Sequence, residues 1–282
     1  MEQTVQSTKQ WTETKEQRKA RKATEKAQKN VQNDAHLTQE SADNVQNSAQ
    51  DKKYVVCLKW GDKYSAEYVN NLYNMVKRNC TLDYEFICFT ENTNGIDPNI
   101  TTRPLPKLML TGWWYKPWFF SNELNLQGTL LFLDLDLIVF ENINKFFFYD
   151  EDKDFVIIRD FNRINRSNWD RINSSVFRLK IGARKDQYHE FINNRSNITK
   201  RMHGDQDWMY RYCKPYHYWP EEWVQSYKWE MRGRQHLGMI NGQRDFIDDL
   251  PPKILQDTSI AVFHGKPDIH TCSDEWPKKH WR

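Results

Sequence analysis

Residues 130–140 read LLFLDLDLIVF, and apart from Asp134 and Asp136 every residue of the run is apolar. Such a segment predicts a central strand of an α/β sheet. Alternate side chains of a strand share a face, which would set Leu130, Phe132, Asp134, Asp136, Ile138 and Phe140 on the same side. Two carboxylates then interrupt an apolar surface. An unpaired buried charge is costly, and neighbouring acids repel each other. A divalent cation held where the strand leaves the core would compensate both, and hard cations such as Mg²⁺ or Mn²⁺ take oxygen ligands. An edge strand whose acids face water satisfies the same pattern, so the run alone leaves both readings open.

The surroundings of the run favour an α/β domain. YVVCLKW reads as a buried strand. In the following SAEYVNNLYNMVKRN, Ala66, Val69, Leu72, Tyr73 and Val76 recur at helical spacing, and YEFICFT supplies a second strand. A helix-like KPWFFSNELN, the acid-bearing strand and the strand DFVIIRD continue the alternation, and SIAVFHGKP is the last core strand. In such a sheet, function concentrates at the carboxyl ends of the strands. Residues 1–52 are different in kind: rich in Gln, Lys, Glu, Asn, Ala, Thr and Ser, with Trp11 the only aromatic before Tyr54. Their composition predicts a disordered or helical polar tail ahead of a single domain over 53–282. Beyond Asp160 the periodicity loosens, and residues 161–175 and 214–245 resist assignment.

Composition narrows the function. With 41 basic and 38 acidic residues the charge is nearly balanced, so no nucleic-acid partner is expected. The five cysteines are irregularly spaced without a CxxC pair, which predicts reduced thiols. No apolar signal core or membrane span is evident, so a cytoplasmic protein is expected.

A second feature, FHGKPDIH at 263–270, bears on the charge problem. His264 offers a neutral imidazole ligand, Gly265 permits close backbone approach, and Lys266 is a point charge suited to phosphate. Together with the paired acids they would complete a metal and diphosphate site. An incidental surface turn is the plainer alternative for this segment.

Taken in order, CLKWGDKYSAEYVNNLYNMVKRN, FICFTEN, GWWYKPWFF, LFLDLDLIVF, NSSVFRL, HGDQDW and FHGKP resemble a compact GT-A fold glycosyltransferase. The type is that related to glycogenin and the retaining bacterial lipopolysaccharide galactosyltransferases, especially its small phage and bacterial versions. The likeness runs over about residues 54–270. It implies a Rossmann-like, nucleotide-sugar-binding domain with a mixed central sheet, located in the host cytoplasm if the chain is phage-like. It also implies Mn²⁺ or Mg²⁺ held by Asp134, Asp136 and His264, a nucleotide-sugar donor such as a UDP-sugar, and a separate acceptor. Lys266 and Gly265 would meet the diphosphate, Lys59 and Trp60 would lie near the nucleoside, and Lys116, Asn173 and Ser174 would lie beside donor phosphate or sugar. Asp205 and Gln206 fall near the anomeric carbon. Without the resemblance, GDQD reads as a capped helix start with Asp205 at its N-terminus, Asn-Ser-Ser as turn chemistry before a strand, and Lys116 as a lysine snorkelling from an aromatic helix. WPEEWVQSYKWE replaces longer acceptor regions, which leaves the acceptor open.

Two rival functions remain at this level. A haloacid-dehalogenase-type phosphatase would use the DxD run with Asp248 and Asp249 as its Mg²⁺ pair, but Leu137-Ile138-Val139 continues the strand where such enzymes turn. A non-catalytic glycan or nucleic-acid binding module would use the twelve Trp and thirteen Tyr, yet it would have no need of Asp134, Asp136 and His264.

Overall fold

The computed structural model describes residues 51–233, 235–240, 243–247 and 251–282. All of the predicted tail but its last two residues, and the pair Asp248 and Asp249, lie outside the described residues. The predicted β-α-β opening is present as β1 (Lys53–Lys59), α1 (Ala66–Asn79) and β2 (Tyr84–Thr90). In α1, Tyr68, Val69, Leu72, Met75 and Val76 are buried, the stripe that its apolar spacing requires. Next come β3 (Thr101–Arg103), a 3-10 helix over Gly112–Phe120, β4 (Thr129–Leu133), β5 (Leu137–Val139), α2 (Lys145–Phe148), β6 (Phe155–Arg159) and β7 (Ile172–Lys180). The chain continues through α3 (Lys185–Arg201), α4 (Asp205–Tyr212), β8 (His217–Tyr218), β9 (Val224–Ser226), a π-helical turn at Tyr227–Met231, β10 (Gln235–Ile240), β11 (Gln243–Ile247), β12 (Ile260–Val262) and α5 (Glu275–His280).

The main sheet has seven strands in the order β3-β2-β1-β4-β7-β6-β8. Strands β1 to β4 run parallel; β7 is antiparallel to both β4 and β6, and β8 is parallel to β6. The sheet is therefore mixed, as expected. Both of its faces are covered. Val55, Cys57, Leu131 and Leu133 pack under α1, while Tyr54, Val56, Leu58, Leu130 and Phe132 pack under the 3-10 helix, α3 and α4. This two-sided burial explains the nearly continuous apolar runs of β1 and β4. A second sheet of three strands, β5-β12-β9, leans on the α1 side, and β10 with β11 forms a separate hairpin.

The run 130–140 is not one strand, which corrects the expectation of a single shared face. β4 ends at Leu133 in the main sheet and β5 begins at Leu137 in the three-stranded one. Leu130 and Phe132 belong to one core and Leu137, Ile138 and Val139 to the other. The sheet change falls on Asp134-Leu135-Asp136, so the acids mark the point where the chain leaves the main sheet. Two smaller corrections follow. KPWFF belongs to a 3-10 helix that begins earlier, at Gly112, and Asn-Ser-Ser lies within β7 rather than before it. All five cysteines are free and buried. Among the described residues no helix is long and apolar enough to cross a membrane.

Candidate active site

At the carboxyl ends of β1 and β4 lies a cleft of about 200 Å³, lined among others by Trp60, Tyr64, Trp113, Lys116, Asp134 and Asp136. Ser174 and Asp205 complete its floor. Lys116 is the floor's centre. The 3-10 helix carries it in from above, and its side chain is buried. Its Nζ lies 2.9 Å from both carboxylate oxygens of Asp134 and 3.5 Å from Asp205 Oδ2. It also donates to the Ser174 carbonyl at 3.1 Å and sits 5.0 Å from the centroid of the Phe132 ring. Phe132 and Asp134 thus keep the alternation of β4 for one last step. A lysine snorkelling to water, the plainer reading of this residue, does not describe it.

One buried cation is set against three acids. Burial works against charge on Lys116, but Asp134 and then Asp205 outweigh it and hold its pKa above the ordinary lysine value. Asp205 is pushed above the ordinary carboxylate value by burial, against the pull of Lys116. Asp136 is pushed up to about 6, first by burial and next by Asp134, while the Tyr64 hydroxyl, donating to its Oδ2 at 2.9 Å, works in the opposite direction. Lys63 at the exposed rim of the cleft also favours the charged form of Asp136, so the three acids face one buried and one exposed lysine.

Helix α4 starts at Asp205, as GDQD reads, with Gly204 as its N-cap and no side-chain capping bond from that position. The Asp205 carboxylate turns to Lys116. Gln206 lies behind Ser174 of the floor: its Nε2 donates to Asp160 Oδ2 at 2.7 Å, and its Oε1 accepts from the Ser174 amide at 3.4 Å. Asp160 closes β6 and is buried, and its other oxygen accepts from the Asn162 amide at 2.7 Å. The β6–β7 register slips between Ile157 and Ile158, while on its other edge β7 stays paired with β4 and the Asp134 amide extends that ladder by donating to the Ser175 carbonyl at 2.9 Å. Asn173 uses its side-chain oxygen to accept from the Ser175 amide, which shapes the same slip.

The HGKP loop reaches the site through backbone pairing. Phe263 donates its amide to the Asp136 carbonyl at 2.8 Å, one step beyond the β12–β5 ladder. His264 stacks on Phe161, with centroids 5.1 Å apart and planes within 4°, and its Nε2 lies 2.7 Å from Ser226 Oγ. Gly265 has φ +75°, a backbone conformation that calls for glycine; a Cβ there would meet only Lys228 Nζ, at 2.9 Å, the far end of a flexible side chain. Lys266 is largely exposed and pairs with Asp268. On the far side, Lys59 is buried with Nζ 3.5 Å from the Gly61 carbonyl, and the Trp60 ring covers Gly112, whose φ is +64°.

The donor set suits a hard cation in atom type and in charge, since two carboxylates of the DLD segment face a floor in which acids outnumber the buried lysine. The side chains are not gathered around a point: among the described residues no three His, Cys, Asp or Glu groups stand close enough to hold a metal ion. Sequence reasoning passed over Tyr64, Trp113 and Asp160. Tyr64 and Asp160 each follow the carboxyl end of a strand, β1 and β6, which was the available signal. Trp113 sits beside the flagged Lys116 in an aromatic run that reads as core.

No family model matches the chain, and no curated protein matches its sequence. Solved structures do match. The galactosyltransferase LgtC, as an active-site mutant, superposes with a TM-score of 0.56 at 11% identity, covering 80% of this chain and 93% of that one. LgtC in complex with donor and acceptor sugar analogues gives 0.54 at 12% identity with the same coverage. The bifunctional glycosyltransferase WbbM gives 0.50 at 12% identity over 82% of this chain and 51% of its own. The chain has the GT-A glycosyltransferase fold.

Proposed function

We propose that the chain is a divalent-cation-dependent glycosyltransferase that moves a sugar from a nucleoside-diphosphate donor, a UDP-sugar, to an acceptor hydroxyl with retention of anomeric configuration. The observation that carries this reading is the floor of the cleft: a buried lysine clasped by Asp134 and Asp205, beside an under-compensated Asp136, at the strand ends of a GT-A fold. Asp134, Asp136 and His264 would hold Mn²⁺ or Mg²⁺, which supplies Lewis-acid stabilisation to a diphosphate leaving group.

The chain's own residues account for the rest. Trp60 and the backbone near Lys59 would flank the nucleoside, and Gly265 and Lys266 would meet the diphosphate. As the sugar departs, positive charge builds at its anomeric carbon. Asp205 and the Gln206 amide oxygen oppose that charge, a kind of electrostatic term worth about 3 kcal/mol per well-placed group. Lys116, with Ser174 and Asn173 shaping the floor around it, keeps Asp205 turned inward. In a same-face transfer the acceptor oxygen bonds to the anomeric carbon, the bond to the diphosphate breaks, and the acceptor proton passes to the departing phosphate oxygen. No dedicated base is required. We read the catalytic domain as 53–282, preceded by the polar tail, and place it in the cytoplasm.

A panel of nucleotide sugars incubated with the full chain and Mn²⁺, read by released nucleoside diphosphate, tests the activity. One donor class should turn over. Proton NMR of the first-formed product from an α-linked donor should show an α-glycoside; an initial β-glycoside would refute retention and recast Asp205 as a general base.

A further inference from the structure

Gln206 carries an amide whose two ends have opposite polarity, and the direction in which it is held decides what it offers a reacting sugar. Its Nε2 is 2.7 Å from Asp160 Oδ2. A carboxylate has only acceptor oxygens, so the end of the amide that faces Asp160 must be the NH₂. The oxygen is thereby turned to the Ser174 side, where the Ser174 amide lies 3.4 Å away and the Ser174 carbonyl and Oγ meet Lys116. Asp160 is itself immobilised. It is 5% exposed, and its Oδ1 accepts both the Asn162 amide and the Asn162 side-chain nitrogen at 2.7 Å. The Asp160 amide donates to the Arg171 carbonyl at 2.8 Å, which ties the residue to the start of the strand that bears Ser174.

We propose that Asp160 is a positioning residue that fixes the amide of Gln206 with its oxygen, rather than its NH₂, toward the reacting sugar. The proposal rests on the glycosyltransferase reading for its catalytic consequence, but not for the placement of the amide. A donor aimed at a carbon gaining positive charge would raise the barrier, whereas an acceptor oxygen lowers it. A single flip of the amide therefore changes the sign of the interaction without moving an atom of the backbone. Asp160→Asn removes this constraint while sparing the turn at residues 161–164, because the substituted side chain can still accept from the Asn162 amide through its remaining oxygen. Its new NH₂ then opposes the NH₂ of Gln206, and the Ser174 amide, which donates to the Gln206 oxygen at 3.4 Å, is left as the one remaining hold on the amide's direction. In the double variant Asp160→Asn with Gln206→Glu, the asparagine NH₂ donates to a carboxylate and the original geometry returns with donor and acceptor exchanged.

Two measurements test this. With selective ¹⁵N-glutamine labelling of the full chain, without ligand, the Gln206 side-chain NH₂ should resonate away from the free-glutamine position, and Asp160→Asn should move it. A signal at the free position that Asp160→Asn leaves unchanged would overturn the placement whether or not the protein has activity. In turnover, Asp160→Asn should lower kcat about 100-fold, with the donor KM within a few-fold and the melting temperature preserved. The double variant should exceed both single variants by about tenfold or more. Losses that simply multiply across the cycle would overturn the positioning role. Absence of turnover in the parent protein with every nucleotide sugar would instead refute the activity reading, and the labelling result would still decide where the amide points.

Discussion

The two ends of the cleft are built on different plans. At the Lys116 end the polar groups are buried or half-buried and already joined to one another: Lys116 to Asp134, Asp205 and Ser174, and Gln206 to Asp160. At the His264 end, Lys266 is turned out to Asp268 and the His264 ring leans on Phe161 beside Ser226. A buried network must be satisfied before any substrate arrives, because an unpaired charge there would oppose folding. An exposed loop can leave its charges to water and rearrange on binding. The comparison teaches that one end is set by folding and the other by ligand, and the two should respond differently to mutation.

Lys116→Met should be the most damaging change, since it strands Asp134 and Asp205 in a buried floor. We expect a loss of about 3 kcal/mol or more in stability by denaturant titration, together with loss of turnover. A variant that melts like the parent would break the distinction between the two ends. Asp136→Asn and His264→Ala should leave the fold standing but weaken Mn²⁺-dependent nucleotide binding by about 10–100-fold, measurable by calorimetry.

Asp136 also gives the floor a pH signature. Burial, and then Asp134, push its pKa up to about 6 in the folded chain, above the unfolded value near ~3.9. Between those values the folded state binds more protons, so the stability gained from protonation is complete below the unfolded value and is lost as pH rises through about 6. In EDTA the protein should therefore melt higher at pH 5 than at pH 7.5, and Asp136→Asn should shrink the difference. An equal difference in the variant would assign the effect to other groups. The smallest effect belongs to the exposed end: Lys266→Ala should reduce donor affinity by a few-fold and leave the melting temperature unchanged, because an exposed pair such as Lys266–Asp268 is worth about 0–1 kcal/mol. Loss of folded protein on that change would show that the loop is as fixed as the floor.

What the sequence disclosed follows from how local each feature is. The β-α-β opening was legible because α1 buries a regular stripe and β1 is apolar on both faces. The acid pair was legible as an anomaly in an apolar run, though not the strand break that it marks, since periodicity cannot say to which sheet Leu137 belongs. Helix α3 went unread because it buries only Tyr188, Phe191 and Ile198 over its length and so lacks a sustained stripe. Asp160 stands at a strand end, but its link to Gln206 was invisible for a different reason: the two are 46 residues apart, and nothing in the local sequence joins them. Lys116, Asn173, Ser174 and Gln206 were singled out through the family resemblance, and only the folded chain shows Lys116 at the centre of the floor.

The most direct test of the whole reading is calorimetric titration of the full chain with UDP, once in Mn²⁺ and once in EDTA. A floor with more acids than lysines and a loop turned out to water should bind the diphosphate only when a divalent cation is supplied, so heat of binding should appear in Mn²⁺ and vanish in EDTA. Equally tight binding in both, or binding in neither, would contradict the account.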